Sequence, residues 1–295
     1  MKPAPFQYVA PRTIDEAIEE LTGSNGEAKL LAGGQSLVPL LNFRLARPTR
    51  LVDLNRVASL AYIAERDGGL AIGAMTRDRA VERDTRIAAR APLLAEAIRC
   101  VGHPAIRSRG TLGGSIAHAD PAAELPAVAL CLEARIIVRG PRGERRLSPS
   151  ELYLGYLSTS LDADEIITEV WFPAAEPHSG QCWLEFSRRH GDFAIVGVAD
   201  SLTLEGEAIR TASIAFAGVG GAPLRVEAAE AVLLGGRPDP DRLSASAEAA
   251  RAAIQPDGDM HASADYRRHL AGVLLERAVR TAYQRARSFS EEPHR

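Results

Sequence analysis

Short apolar runs with strand-like spacing recur through the first half of the chain. Residues 28–32 and 50–54 each form a compact apolar run that predicts a buried strand. Residues 61–74 alternate around Asp67-Gly68-Gly69, and residues 135–147 alternate around a Gly-Pro-Arg-Gly turn, so both stretches predict β-hairpins. Residues 165–172 predict a further strand, which stops at Pro173.

Stretches with helical spacing separate these strands. The sequence Thr13-Ile14-Asp15-Glu16 has the capping-box pattern and predicts a short helix that ends near Gly23. Helices are also predicted over residues 37–45, around residues 92–100 and over residues 124–133.

The chain divides near residue 177. Residues 173–180 are rich in proline and small residues and predict a linker. Beyond it, residues 181–186, 194–204 and 212–217 predict three antiparallel strands, and helices follow over residues 241–254 and about 264–287. We therefore expect an α+β chain with a first domain over residues 1–177, a second domain over residues 178–288 that is a small three-stranded antiparallel sheet with helices, and a disordered tail over residues 289–295.

Composition and charge narrow the class of protein. Of the 295 residues, 46% are apolar and 25% are charged, which is typical of a globular protein, and the net charge of −3 gives no basic field for nucleic acid. Cys100, Cys131 and Cys182 are far apart, which argues against an iron–sulfur cluster held by this chain alone and for a reducing compartment. The N-terminus lacks an apolar signal run and no stretch is long enough to span a bilayer, so we expect a cytoplasmic protein.

Two glycine pairs in matched surroundings are the main candidates for chemistry. They are Ala32-Gly33-Gly34-Gln35-Ser36 and Thr111-Leu112-Gly113-Gly114-Ser115, and each ends at a serine that leads into an apolar, helix-capable run. Either pair alone is compatible with a tight turn. Two such loops in one domain favour a dinucleotide site, because free backbone N–H groups on a glycine loop bind phosphate oxygens.

Other nucleotide-binding and catalytic patterns fit poorly. There is no P-loop pattern, and the run that begins at Gly218 fails as a Rossmann turn because Pro223 holds the third glycine position. The seven histidines show no tight metal-ligand spacing. A hydrolase with Ser115, His118 and Asp120 as a triad is disfavoured, because triad partners on that fold come from distant loops. Glu124 either caps a helix or accepts a hydrogen bond from a ribose or ribityl hydroxyl.

Several motifs, in order along nearly the whole chain, resemble those of one family. The first comprises residues 32–37 with Arg47-Pro48 and Leu51-Val52-Asp53; the second comprises residues 106–117 and continues through residues 120–126. Residues 188–194 resemble a third motif, and Tyr266-Arg267 with Leu270 and Arg277 resemble the last helix. The chain thus resembles the FAD-binding medium subunits of molybdenum hydroxylases, whose members include carbon monoxide, nicotine, caffeine and xanthine dehydrogenases.

The resemblance implies a two-part FAD-binding domain of the PCMH type, followed by the C-terminal domain of the flavoprotein subunit. It implies that the first loop holds the pyrophosphate, that Glu124 binds FAD hydroxyls, and that no residue of this chain is catalytic or binds a metal. The implied cofactor residues are Ala32, Gly33, Gly34, Gln35, Ser36, Leu37, Val101, Thr111, Gly114, Ser115, Ala117, His118, Glu124, Ile166 or Ile167, and Phe193. Two residues depart from the family: Gln35 stands where carbon monoxide dehydrogenases tend to have histidine, and Glu185 lies where many relatives have lysine near the flavin.

The resemblance also implies partners. A large subunit would hold the molybdenum cofactor, a small subunit would hold [2Fe–2S] clusters, and the complex would be a dimer of heterotrimers. Electrons would pass through the FAD of this chain to an external acceptor such as NAD, a quinone or oxygen. Two alternatives remain: a free-standing flavin oxidoreductase with its own substrate, and a scaffold subunit that has lost FAD.

Overall fold

A small parallel sheet opens the chain in the computed structural model, which describes residues 2–291. Its elements are β1 (Gln7–Val9), α1 (Ile14–Thr22), β2 (Ala28–Leu31), α2 (Leu37–Asn42) and β3 (Arg50–Asp53). β1 and β2 both pair with β3, and α1 packs Ala17, Ile18 and Leu21 into the core beside this sheet. The Thr13 hydroxyl accepts the Glu16 N–H at 3.2 Å, as the capping pattern predicts. α2 is shorter than predicted, because Arg44 takes a left-handed conformation with φ 58°.

An antiparallel five-stranded sheet with short helices follows. The elements are β4 (Ile63–Arg66), β5 (Gly69–Gly73), α3 (Asp78–Arg83), α4 (Thr85–Arg90), α5 (Pro92–Ala97), α6 (Pro104–Arg107), α7 (Leu112–His118), α8 (Glu124–Cys131), β6 (Arg135–Gly140), β7 (Gly143–Leu147), α9 (Pro149–Leu152), β8 (Tyr153–Gly155), β9 (Ser158–Thr159) and β10 (Ile166–Pro173). The strand order in the sheet is β4-β5-β10-β6-β7. Both predicted hairpins are present in it, as β4–β5 and β6–β7, and short helices form the connection between β5 and β6.

The last part of the chain forms an antiparallel sheet and three helices. The elements are β11 (Ser179–Phe186), β12 (Val196–Glu205), β13 (Ala208–Ala217), β14 (Leu224–Arg225), α10 (Glu227–Leu233), α11 (Pro240–Ala253) and α12 (Ala264–Glu291). The sequence predicted neither β14 nor α10, because both are too short to show a period. α12 also includes residues 289–291 of the expected tail, and residues 292–295 lie outside the described residues. No helix within the described part of the chain combines the length and apolar character needed to cross a membrane.

The C-terminal sheet is covered on both faces, which joins it to the first part of the chain. Along its strands, neighbouring residues alternate between two cores, as Val198 and Ala199 do. α8 packs on one face and α12 on the other. The connection between β10 and β11 is held by backbone bonds from Ala174 to Gly68 and from Ala175 to Arg90. The domain boundary near residue 177 stays a prediction.

A substitution at Gly180 tests the packing of α12 on this sheet. A Cβ at this position would lie 1.8 Å from the carbonyl oxygen of Ala282, so Gly180→Ala must displace the helix. We expect the free energy of unfolding in urea to fall by about 1–3 kcal/mol. Gly220→Ala is the control, because nothing lies within 4 Å of the added methyl group, and we expect a change within about 0.5 kcal/mol. Equal stability of the two variants would contradict this packing.

Candidate functional site

The two glycine pairs, far apart in sequence, meet in the structure. The first pair follows β2, and the second lies in the first turn of α7. A Cβ on Gly33 would lie 2.4 Å from the carbonyl oxygen of Arg109, and a Cβ on Gly114 would lie 2.6 Å from the Thr111 hydroxyl oxygen and 3.5 Å from the Cβ of Ala32. Because no side chain of any size fits at Gly33, glycine is required for the two loops to approach this closely.

The first loop presents a row of unused hydrogen-bond donors. Gly34 has φ 75°, and among residues 2–291 the backbone N–H groups of Gly34, Gln35 and Ser36 find no acceptor. The Gln35 side-chain amide donates to the carbonyl oxygen of Gly33 at 3.0 Å, which closes the loop. Ser36 precedes α2, but its hydroxyl does not cap that helix. Consecutive unpaired N–H groups of this kind form a concave donor surface for an anion.

The second loop differs from the prediction. α7 begins at Leu112, before the glycine pair, so Ser115 lies inside the helix and does not precede it. Thr111 is the N-cap, and its hydroxyl accepts the Gly114 N–H at 3.2 Å. The N–H groups of Leu112, Gly113 and Ser115 donate to backbone carbonyls. Within residues 2–291, the second loop therefore presents no row of free N–H groups like that of the first loop.

Glu124 lies almost fully buried, with 4% of its surface exposed, at the first position of α8. The N-cap is Ala123, so Glu124 does not cap the helix. Burial raises the pKa of Glu124 to about 8, and the nearby carboxylates of Glu185 and Asp120 add to the shift. Burial also raises the pKa of Glu185, whose Oε2 accepts the indole N–H of Trp183 at 3.1 Å. Glu124 is thus a buried carboxyl group that the helix cap does not use.

The other predicted residues lie in three different settings. Val101 is half-buried against the main core, while Ala117 and His118 form the last turn of α7. Ile166 and Ile167 are both buried, but in two different hydrophobic cores. The side chain of Phe193 is 61% exposed in the loop between β11 and β12. The structure therefore brings the glycine loops together, while Val101, Ile166, Ile167 and Phe193 lie on other elements.

Several residues that stabilise the backbone near the loops are not among the predicted cofactor residues. The Arg107 guanidinium, 6% exposed, donates to the carbonyl oxygens of Arg99, Val101 and Gly102 at 2.9–3.2 Å. Asp78, 2% exposed, has its pKa raised to about 7 by burial. Asn55 donates to Ala32 beside the first loop, and Arg77 donates to Arg109 beside the second loop and to Asn55. These bonds join residues 22 to 32 positions apart, which no local sequence pattern reveals.

A cavity of about 420 Å³ lies beside the first loop. None of the predicted cofactor residues lines it. Its polar side chains, such as Thr76 and Arg77, are hydrogen-bonded to other protein groups. Its lining residues are Leu54, Asn55, Val57, Ala58, Ala61, Tyr62, Ile63, Met75, Thr76, Arg77, Ala80 and Arg86.

Comparison with known proteins assigns the family. Residues 4–175 match the FAD-binding domain in molybdopterin dehydrogenase, and residues 181–282 match the CO dehydrogenase flavoprotein C-terminal domain. The chain belongs to the FAD-binding medium subunits of molybdenum hydroxylases. This confirms the resemblance and the FAD cofactor that the motifs predicted.

Relatives match this flavoprotein subunit over nearly their whole length. The 6-hydroxypseudooxynicotine dehydrogenase complex subunit alpha of Paenarthrobacter nicotinovorans is 42% identical over 99% of each chain. Carbon monoxide dehydrogenase of Hydrogenophaga pseudoflava, in a form that lacks the Mo-pyranopterin moiety, matches with a TM-score of 0.95 and 38% identity over 97% of this chain and 99% of that chain. Quinoline 2-oxidoreductase of Pseudomonas putida 86 matches with a TM-score of 0.92 and 36% identity over 97% of this chain and 99% of that chain.

The residues of the site fit FAD. The first loop supplies consecutive unpaired N–H donors, which suit the pyrophosphate oxygens. Because Gly33 and Gly114 lack a Cβ, the backbones of the two loops lie close enough for both to contact one ligand. The buried carboxyl group of Glu124 suits a hydroxyl donor.

The raised pKa of Glu124 predicts a pH dependence of stability in the absence of FAD. Between the ordinary value of 4.5 and about 8, the folded chain holds a proton that the unfolded chain releases, so the free energy of unfolding falls as pH rises through this window. Asp78, with its pKa raised to about 7, contributes in the same direction. We expect the melting temperature of Glu124→Gln to fall less than that of the wild type between pH 5 and pH 8. Each kcal/mol by which the variant loses less stability than the wild type over this range should correspond to about 2–4 °C in melting temperature.

The control for this prediction is Glu205→Gln, at the exposed end of β12, which we expect to keep the wild-type pH profile. Melting is followed by circular dichroism on the FAD-free full chain. Parallel profiles for Glu124→Gln and the wild type would show that Glu124 holds no extra proton in the folded state.

Proposed function

We propose that this chain is the electron-transfer subunit of a molybdenum hydroxylase and that the FAD pyrophosphate lies between its two glycine loops. The observation that carries the proposal is the row of unpaired N–H groups on residues 34–36, held against the second loop. When bound, the flavin accepts and releases electrons singly or in pairs, which suits a relay between one-electron clusters and a two-electron acceptor.

The chain's residues would bind and orient the cofactor. The first loop, from Ala32 to Leu37, would donate to one part of the pyrophosphate, and the Ser115 hydroxyl would donate from the other side. Glu124 would accept hydrogen bonds from cofactor hydroxyls. The remaining predicted residues would surround the cofactor: Val101, Thr111, Gly114, Ala117, His118, Ile166 or Ile167, and Phe193. No residue of this chain is assigned a role as acid, base or nucleophile.

We further propose that substrate is oxidised on a large molybdenum-cofactor subunit and that a small subunit with [2Fe–2S] clusters delivers the electrons, in a dimer of heterotrimers. The relatives are subunits of such dehydrogenases and hydroxylases. An external acceptor would then take electrons from this chain. Burial raises the pKa of the Cys100 and Cys182 thiols to about 12, which disfavours the thiolate form that an iron–sulfur cluster requires.

The cytoplasm is the proposed compartment. Cys100, Cys131 and Cys182 are all free thiols. Unpaired cysteines are typical of proteins in a reducing environment. The two domains are proposed over residues 1–177 and 178–288, which agrees with the ranges of the two family matches.

Isolation of the tagged full chain from its native cells tests the proposed function. We expect a larger and a smaller subunit to co-purify, with iron and molybdenum in the complex and one FAD per copy of this chain. Reduction of the small subunit's clusters should bleach the flavin absorbance. A chain that purifies alone with flavin and oxidises a substrate without partners would instead support the free-standing oxidoreductase, and a complex without flavin would support the scaffold.

A further inference from the structure

We infer that Asn55 and Arg77 form a positioning pair that fixes the two glycine loops at the separation needed for the pyrophosphate. The inference rests on the proposed placement of FAD between these loops. It adds two residues to the site that lie outside both glycine motifs.

Asn55 holds the first loop. It lies just after β3, and its side-chain amide donates to the carbonyl oxygen of Ala32 at 3.0 Å. Asp53 fixes Asn55 in turn, because the Asp53 Oδ1 accepts the Asn55 backbone N–H at 2.9 Å. The second oxygen of Asp53 accepts the Tyr8 hydroxyl at 2.6 Å, so the carboxylate is itself held on both sides.

Arg77 holds the second loop and completes the connection. Its guanidinium donates to the carbonyl oxygen of Arg109 through Nη1 and to the Oδ1 of Asn55 at 2.5 Å through Nη2. The backbone on both sides of Arg77 is anchored to the second loop: the Asp78 N–H donates to Gly110 at 3.1 Å, and the Leu112 N–H donates to Thr76 at 3.1 Å. One continuous set of hydrogen bonds therefore runs from Ala32 through Asn55 and Arg77 to Arg109.

This connection ends on the carbonyl group that limits the approach of the loops. The oxygen of Arg109 that accepts from Arg77 is the atom that a Cβ on Gly33 would meet at 2.4 Å. The contact at Gly33 prevents the loops from moving closer, and the Asn55–Arg77 pair prevents them from moving apart. Because both side chains bond to backbone carbonyls, the pair leaves the N–H groups of residues 34–36 available for the cofactor.

Geometry, rather than charge, is the proposed contribution of Arg77. The planar guanidinium reaches two acceptors at once, which an ammonium group on a lysine stem does not reproduce. Arg77→Lys keeps the charge beside the site and removes the two-sided connection. Asn55→Asp keeps the size of the side chain and its acceptor for Arg77, and removes the amide that donates to Ala32 and to the Oδ1 of Asp53.

A double-mutant cycle on FAD affinity tests the pair. The dissociation constant of FAD is measured by flavin fluorescence on the full chain for the wild type, Asn55→Ala, Arg77→Met and the double variant, with the melting temperature of each FAD-free protein. We expect each single variant to weaken FAD binding about 10- to 100-fold and the double variant to bind no more than about 3-fold more weakly than the worse single variant. The melting temperatures without FAD should change little.

The conservative variants and a control separate positioning from charge and from folding. Arg77→Lys and Asn55→Asp should both lose FAD affinity, and they keep the test valid if a truncated variant fails to fold. Arg86→Met is the matched control: Arg86 lines the same cavity and pairs with Asp84, and its replacement should leave FAD affinity unchanged.

Several results would overturn the inference. Additive losses in the cycle, or full FAD affinity in Arg77→Lys, would show that the two side chains do not act as a connected pair. Variants that bind FAD as tightly as the wild type would overturn the pair and leave the proposed function intact. A wild-type chain that binds no FAD would overturn the placement of the cofactor and the pair together.

Discussion

The contact of Gly33 with the backbone of Arg109 and Gly110 is the constraint on which the rest of the site depends. A Cβ at Gly33 would lie 2.4 Å from the Arg109 oxygen and 2.8 Å from the Gly110 Cα. The first loop belongs to the small parallel sheet, and the second is packed against the five-stranded sheet through Ala74. The two glycine loops therefore meet where two sheets from different parts of the chain are brought within backbone contact, and the proposed dinucleotide site lies at this meeting point.

The two loops contribute different things at this contact. Among residues 2–291, the N–H groups of Gly34, Gln35 and Ser36 have no acceptor, because the backbone leaves β2 and turns through Gly34 before α2 begins. The N–H groups of the second loop donate to protein acceptors instead. Near the site, Glu124 and Asp78 are buried and Glu185 is half-buried, and burial raises the pKa of each. A buried carboxyl group is stable in this setting only when it is protonated or accepts hydrogen bonds, which is consistent with the hydroxyl-binding role proposed for Glu124.

The sequence predicted what local patterns encode. Strand runs, hairpin turns and the capping residue Thr13 are local signals, and the structure confirms them. The sequence indicated a helix-capable run after Ser115, whereas α7 begins earlier, at Leu112, because the Thr111 hydroxyl accepts the Gly114 N–H as its N-cap. Asn55 and Arg77 could not be predicted, because their roles depend on the meeting of segments that are distant in sequence.

A crystal structure of the full chain with FAD tests the central claim most directly. We predict that pyrophosphate oxygens lie about 3 Å from the backbone nitrogens of Gly34, Gln35 and Ser36 and that a phosphate oxygen accepts the Ser115 hydroxyl. The distance between the loops should match the present structure, with Asn55 and Arg77 still connecting Ala32 to Arg109. A pyrophosphate bound elsewhere, such as in the cavity beside Tyr62 and Arg86, would contradict the account.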